Sequence, residues 1–211
     1  MPRRTIGRLH VITCADTRMG RSHAELAELA ILGGADTIQY RSKSPDIREM
    51  IAEALAVREV CARHGVTFLV NDRVDVALAV DADGVHLGRD DMPIATARRM
   101  LGDGRIIGGT VRNREHLMGA FRETADYVGL GPIFGTSSKI VPISPLGLAV
   151  VREVATGSPI PVIGIAGIDA GNAGDVIAAG AYGVAVIGAV CRADDVTAAA
   201  RELRERIRER A

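Results

Sequence analysis

The residues best suited to chemistry in this chain sit where short apolar runs give way to polar ones. The first such end reads Gln39-Tyr40-Arg41-Ser42-Lys43. Alternate side chains of an extended segment share a face, so Gln39, Arg41 and Lys43 point the same way. A planar guanidinium and a compact ammonium beside an amide suit phosphate oxygens. Without an anion such a pair is costly to aim into a concave mouth; solvated charges in a loop that leads to a helix are the competing reading. Two further ends are acidic, Val70-Asn71-Asp72-Arg73 and Gly84-Val85-His86-Leu87-Gly88-Arg89-Asp90-Asp91. Mg2+ takes one or two carboxylates and completes its octahedron with water and substrate phosphate. Asp72 and Asp91 are therefore the candidate ligands, with Asp90 expected to cap a helix that begins near Pro93. Two ordinary helix-capping loops would look similar. His86 reads either as an acid–base group or as a structural histidine in a strand wall.

The later ends are rich in glycine and hydroxyls. Gly129-Leu130-Gly131-Pro132-Ile133-Phe134-Gly135-Thr136-Ser137-Ser138-Lys139 lets backbone approach a ligand and offers the Thr136 and Ser138 hydroxyls beside Lys139. Plain turn chemistry uses the same residues. Ile163-Gly164-Ile165-Ala166-Gly167-Ile168 and Val186-Ile187-Gly188-Ala189 follow, with Asn172 opening the helix after the first of them. Loops of this kind cradle phosphate through backbone N–H groups. Together the ends describe two anion pockets, one linked to a metal and one built from backbone donors. That suits an enzyme with two phosphorylated substrates.

The elements that must hold these ends follow from periodicity. Strands are expected at Arg8–Thr13, Thr37–Tyr40, Thr67–Val70, Gly84–Leu87, Ile106–Gly109, Tyr127–Leu130, Val162–Ile165 and Gly183–Ile187. Segments with helical spacing separate them; in Ile47–His64, residues Ile47, Met50, Ile51, Ala54, Leu55 and Cys61 can share one face. Val196–Glu209, with Ala199, Leu203 and Ile207 among Arg/Glu repeats, reads as a solvated helix. Gly33-Gly34 before Ala35-Asp36, and Gly180 before Ala181, mark helix ends ahead of strands. Eight strand–helix units predict a single (β/α)8 TIM barrel, one domain over residues 1–211. An open doubly wound sheet competes, but no G-x-G-x-x-G follows the first strand.

Composition narrows the function classes. The chain has 211 residues, 26 basic and 26 acidic, with 3% aromatics and no Trp. A basic, aromatic-studded nucleic-acid surface is not expected, nor is a membrane span or a secretory leader. Cys14, Cys61 and Cys191 are odd in number and widely spaced, as expected of reduced cysteines in a cytoplasmic protein.

In order, the motifs Q-Y-R-S-K, N-D-R, G-V-H-L-G-R-D-D, D-Y-V-G-L-G-P-I-F-x-T-x-S-K, G-I-A-G-I and G-V-A-V-I resemble those of the thiamine phosphate synthase family, from about Arg8 onward. The resemblance implies a transferase that joins 4-amino-2-methyl-5-hydroxymethylpyrimidine diphosphate to thiazole phosphate and releases diphosphate, with Mg2+ as cofactor. It implies Gln39 at the pyrimidine, and Arg41, Lys43, Asn71 and Lys139 on the diphosphate. Asp72 and Asp91 would hold Mg2+, and Thr110 would stand near the pyrimidine where the family usually has Ser. Thr136, Ser138, Gly167, Ile187 and Gly188 would surround the thiazole phosphate. Arg41, Lys43 and Lys139 would act catalytically by neutralising the leaving group, and a homodimer is implied.

Departures gather on the thiazole side. Gly135 replaces the usual Pro, Ser138 the second Thr, Ala166 a Gly, and Gly188 a Ser that commonly contributes a hydroxyl. Ile140–Pro145 is more apolar than usual and is expected to serve as a lid. Three other readings compete. A thiazole tautomerase paralogue is similar, but its acid–base His is expected where this chain has Pro132. A non-catalytic phosphate-metabolite binder and a phosphosugar isomerase barrel are the remaining alternatives.

Overall fold

The computed structural model describes residues 5–14, 20–135 and 144–210. Eight parallel strands close into a barrel in sequence order: β1 (Leu9–Ile12), β2 (Thr37–Tyr40), β3 (Thr67–Asn71), β4 (Gly84–Leu87), β5 (Ile106–Val111), β6 (Tyr127–Leu130), β7 (Val162–Ile165) and β8 (Gly183–Val186). The helices are α1 (His23–Leu32), α2 (Ile47–His64), α3 (Val74–Ala79), α4 (Ile94–Leu101), α5 (Arg114–Arg122), α6 (Gly147–Ala155), α7 (Ala173–Ala178), α8 (Gly188–Cys191) and α9 (Val196–Arg208). The expected (β/α)8 barrel is thus present, with each expected strand in place to within two residues at its ends. The open sheet is excluded because β1 pairs with β8, Leu9 opposite Val184.

Local chemistry explains the elements. Asp46 caps α2 by accepting from the Arg48 N–H at 2.8 Å, and the helix stops at Gly65, whose φ of 69° is left-handed. Its buried face is Met50, Ala54, Val57, Val60 and Cys61. Ile47 and Leu55, expected on that face, are instead exposed. Val57 and Val60 take those places, which rotates the apolar stripe toward the C-terminal half of the helix. In α9 the stripe is Val196, Ala200, Leu203 and Ile207, one residue away from the expected Ala199.

A repeated device sets the lower rim of the barrel. Asp36, just before β2, donates its N–H to Leu9 O at 3.2 Å, and its Oδ1 accepts from Leu9 N at 2.8 Å. Asp83 clasps Phe68 in the same two-point way (3.0 and 2.8 Å), and Asp126 clasps Ile107 (2.7 and 2.7 Å). Each Ala-Asp pair therefore locks an even strand to the odd one before it, and register errors would break both bonds. Arg204 and Arg98 neutralise Asp36 and Asp126 at 2.5 and 2.7 Å. Before β8 the pattern reads Ala181-Tyr182. The Tyr182 N–H still reaches Val162 O at 2.8 Å, but its ring lies under the Arg8 guanidinium, 4.9 Å from the centroid.

Alternation along the strands divides the core in two. Most apolar residues, such as Val11, Ile38, Phe68, Val85, Ile107 and Val128, face outward and pack against the helices. The barrel interior is a smaller cluster around Ile12, Leu69, Ile106, Tyr127, Ile163 and Ala185. Polar residues of the same inward parity, His10, Gln39 and His86, are buried with it. This inward set continues upward into the C-terminal mouth.

Candidate active site

Two arcs of strand ends frame the mouth. On the first, Gln39 is only 2% exposed, and among the described residues its buried Oε1 has no hydrogen-bond partner. A buried amide oxygen in that state costs about 1–3 kcal/mol unless a ligand donates to it. Two residues on, Arg41 is half-buried and Lys43 exposed. Among the described residues no carboxylate pairs with either one. Their loop is pinned from below, since Ser44 N–H donates to Ser42 Oγ at 3.1 Å and Ser44 Oγ to Glu49 Oε2 at 2.5 Å. Among the described residues the cations are thus held at the rim without being neutralised.

The acidic pair stands beside them. Asn71 ends β3 opposite His86 of β4. Asp72 then turns sharply with φ 63° and donates its N–H to His86 O at 2.8 Å, placing it over the junction of the two strands. Aspartate is among the few non-glycine residues that tolerate this left-handed geometry. Asp91 folds back onto β4, where its Oδ2 accepts from Gly88 N–H at 2.6 Å. A side chain at residue 88 would block this approach, because a Cβ there would lie 2.7 Å from Asp91 Oδ2. Asp90 does not cap α4: Pro93 occupies the N-cap position without a side-chain cap bond, and the Ala95 N–H in the first turn donates to Glu123 Oε2 at 3.4 Å. The loop instead closes through Asp91, which leaves Asp90 exposed. Among the described residues no group of three or more His, Cys, Asp or Glu gathers as a ready-made metal cage.

Thr110, near the end of β5, completes this arc. Its Oγ1 lies 3.0 Å from His86 Nε2, and His86 Nδ1 lies 2.9 Å from the Tyr127 hydroxyl. His10 meets the Tyr127 ring edge-on at 5.5 Å. Burial lowers the pKa of His86 to about 4, with the nearby His10 adding to the effect and Asp91 opposing it. Burial thus favours the neutral ring, and both of its nitrogens are engaged by protein groups inside the barrel wall. Tyr127 and His10 were not among the expected site residues. Their signal was available in their inward parity on otherwise apolar strands.

The second arc is built from β6 to β8. Ile133 and Phe134 N–H groups bond to Ile165 and Ala166 carbonyls at 2.9 and 3.1 Å, tying the β6 and β7 loops together. Gly167 has φ 67°, and a Cβ there would lie 2.7 Å from Phe134 Cβ. Asn172 stands at the start of α7, but its side chain serves the loop: Nδ2 donates to Gly167 O at 2.9 Å and Oδ1 accepts from Asp169 N–H at 3.0 Å. After β8 the chain turns at Ile187, and Gly188 begins the short α8. Thr136, Ser138 and Lys139, with residues 140–143 of the expected lid, lie outside the described residues. A cavity of about 550 Å³ bounded by Arg8, Pro161, Tyr182 and Arg210 opens at the other end of the barrel, below the Tyr182 position.

Comparison with known proteins agrees with this architecture. Residues 9–190 match the family described as thiamine monophosphate synthase. The chain belongs to the thiamine monophosphate synthase family. The thiamine-phosphate synthase of Chloroflexus aurantiacus is 52% identical over 197 residues, 93% of this chain and 91% of that protein. The enzyme of the same name from Methanoculleus marisnigri is 48% identical over 199 residues, 94% of each. The solved structure of a thiamine phosphate pyrophosphorylase from Pyrococcus furiosus superposes with a TM-score of 0.85 at 40% identity, covering 96% of each chain. The motif resemblance to this family, and the expected transferase class, are borne out.

Ala166 adopts φ 78°, left-handed backbone that a glycine takes freely and an alanine only at a cost of about 1–2 kcal/mol. The methyl is accommodated, but the loop that carries Gly167 is strained.

Proposed function

We propose that this chain condenses 4-amino-2-methyl-5-hydroxymethylpyrimidine diphosphate with thiazole phosphate to give thiamine phosphate and diphosphate. Membership of the family supports the reaction class. The observation that carries the substrate assignment is that, among the described residues, Gln39 Oε1 is buried and unpartnered at the foot of an Arg41–Lys43 pair that no carboxylate neutralises. A ring amino group beside a diphosphate supplies the donor that the amide lacks and the anion that the cations lack.

Asp72 and Asp91 fit Mg2+: two hard oxygen donors from adjacent strand ends leave the remaining positions to water and phosphate. When bound, the ion would supply charge neutralisation to the diphosphate. The chain's own groups do the rest. Arg41, Lys43 and Asn71 bind the diphosphate oxygens, and Lys139 joins them. Cleavage of the C–O bond sends its electron pair to the leaving diphosphate and leaves a pyrimidinylmethyl cation. The thiazole nitrogen lone pair then forms the new C–N bond. Gly167, Ile187 and Gly188, with Thr136 and Ser138, hold the thiazole phosphate so that this nitrogen faces the cation. Catalysis on this account is orientation plus stabilisation of developing charge, and no protein nucleophile is required. Gly188 offers only its N–H where a serine would add a hydroxyl.

A homodimer working in the cytoplasm belongs to the same reading; among the described residues no helix is long and apolar enough to cross a membrane. The test of the substrate assignment is Gln39→Leu. It removes the orphaned oxygen at similar volume and is expected to raise KM for the pyrimidine diphosphate about tenfold while leaving KM for thiazole phosphate unchanged. Unchanged KM for both substrates would remove Gln39 from the pyrimidine site.

A further inference from the structure

We propose that Tyr127 and His86 are positioning residues that orient the Thr110 hydroxyl as a hydrogen-bond donor to the substrate. Thr110 would then select a ring nitrogen acceptor while Gln39 selects an amino donor. The inference rests on the assignment of the pyrimidine to this arc of the mouth and specifies how that arc recognises it.

The relay occupies room made for it in the sequence. His86 of β4 stands opposite Gly108 of β5, which in turn stands opposite Tyr127 of β6. A methyl group on Gly108 would fall within the Tyr127 ring, 2.5 Å from its hydroxyl oxygen, and one on Gly129 would lie 2.9 Å from His86 Cε1. Two inward positions are thus left without side chains so that two polar rings can touch in the barrel axis.

Counting protons settles the direction of each bond. The Tyr127 hydroxyl has one hydrogen, the residue is 1% exposed, and its apolar surroundings include Leu69 and Ile106. Among the described residues its hydroxyl partner is His86 Nδ1. Were Nδ1 protonated, the phenol hydrogen would be buried without an acceptor, which is costly. Tyr127 therefore donates and Nδ1 accepts. A bare Nδ1 leaves the imidazole one proton, which resides on Nε2 and is donated to Thr110 Oγ1 at 3.0 Å. The charged and titratable groups around His86 are consistent with this. His10 directs its Nε2 to Gly7 O at 3.1 Å and is itself held neutral, and Asp91 directs a carboxylate oxygen to Gly88 N–H. With its oxygen already accepting from His86, the Thr110 hydroxyl keeps its own hydrogen for the mouth.

The experiment pairs a tautomer measurement with kinetics. In the full-length protein labelled with 15N-histidine, the His86 ring is expected as the single Nε2–H tautomer. In Tyr127→Phe that single tautomer should be lost. KM for the pyrimidine diphosphate should rise about fivefold, with KM for thiazole phosphate unmoved. In a Thr110→Ala background, Tyr127→Phe should add nothing further to that KM. An Nδ1–H tautomer in the wild-type protein overturns the relay, whatever the kinetics. So does a Tyr127→Phe effect that persists in full without the Thr110 hydroxyl. If Thr110→Ala leaves the pyrimidine KM unchanged although the Nε2–H tautomer is seen, the relay does not serve substrate, and the placement of the pyrimidine beside Thr110 falls with it.

Discussion

Two adjacent glycines in β5 offer a sharp physical test of the barrel's inner wall. Gly108 points inward and Gly109 outward, so the same substitution meets different surroundings. An alanine methyl at residue 108 would overlap the Tyr127 ring, which is hemmed in by His10 and His86 at centroid distances of 5.5 and 5.4 Å. The ring cannot move without breaking the His86 bond, so overpacking should cost about 3 kcal/mol, the upper end of the usual range. At residue 109 the methyl would lie 2.7 Å from Ile94 Cδ1, the far end of a flexible side chain. Rotation there relieves the contact at roughly 1 kcal/mol, and the reduced entropy of the unfolded chain offsets part of that. For a chain of this size 1 kcal/mol moves Tm by about 2–4 °C. Thermal unfolding followed by circular dichroism should therefore show Gly108→Ala melting about 6–12 °C below wild type and Gly109→Ala within about 4 °C of it. Equal shifts, or a larger loss at Gly109, would mean that β5 does not present Gly108 to the axis, and the relay built on it would fall too.

Other expectations follow from the same structure. Ala166→Gly should relieve the left-handed strain at φ 78° and raise stability by about 0.5–1 kcal/mol after the entropic cost of glycine; a lower urea midpoint would show that the strain is not there. Burial, the dominant cause, lowers the pKa of His10 and His86 to about 4, whereas an unfolded histidine titrates near 6.5. Between those values the unfolded chain binds more protons, so stability is full above about pH 6.5 and declines as pH falls toward 4. Urea midpoints flat from pH 5 to pH 7 would contradict the buried neutral pair. Lys139→Ala should lower turnover roughly a hundredfold with an unchanged melting curve; near-normal steady-state rates would remove Lys139 from the mechanism.

Much of the barrel was legible because each strand is short, apolar and bounded by glycine or polar residues. The inward placement of Gln39 could be read because a period of two fixes which residues of β2 share a face. Where side chains act through distant partners, one-dimensional reading failed. Asp90 was expected to cap α4, but the loop closes through the 2.6 Å bond from Gly88 N–H to Asp91 and Pro93 takes the N-cap position, neither of which is visible locally. The Ala-Asp clasp recurs before β2, β4 and β6, yet each occurrence looks like an ordinary loop until its bond to the previous strand is seen. His86 and Tyr127 are 41 residues apart, and neither carries a local sign of the other. Ile47 and Leu55 show the limit of periodicity. A helix on a barrel buries a narrow stripe, and several rotations of that stripe fit the same apolar positions.

The proposed condensation takes place at the mouth framed by Gln39, Arg41, Lys43, Asp72 and Asp91. Its most direct measurement combines the purified chain with the pyrimidine diphosphate, thiazole phosphate and Mg2+, and follows both products with time. Thiamine phosphate and diphosphate are expected in equal amounts, with formation abolished by chelation of Mg2+ and severely reduced in Asp72→Asn. Binding of the pyrimidine diphosphate without release of either product, or tautomerisation of the thiazole without condensation, would contradict it.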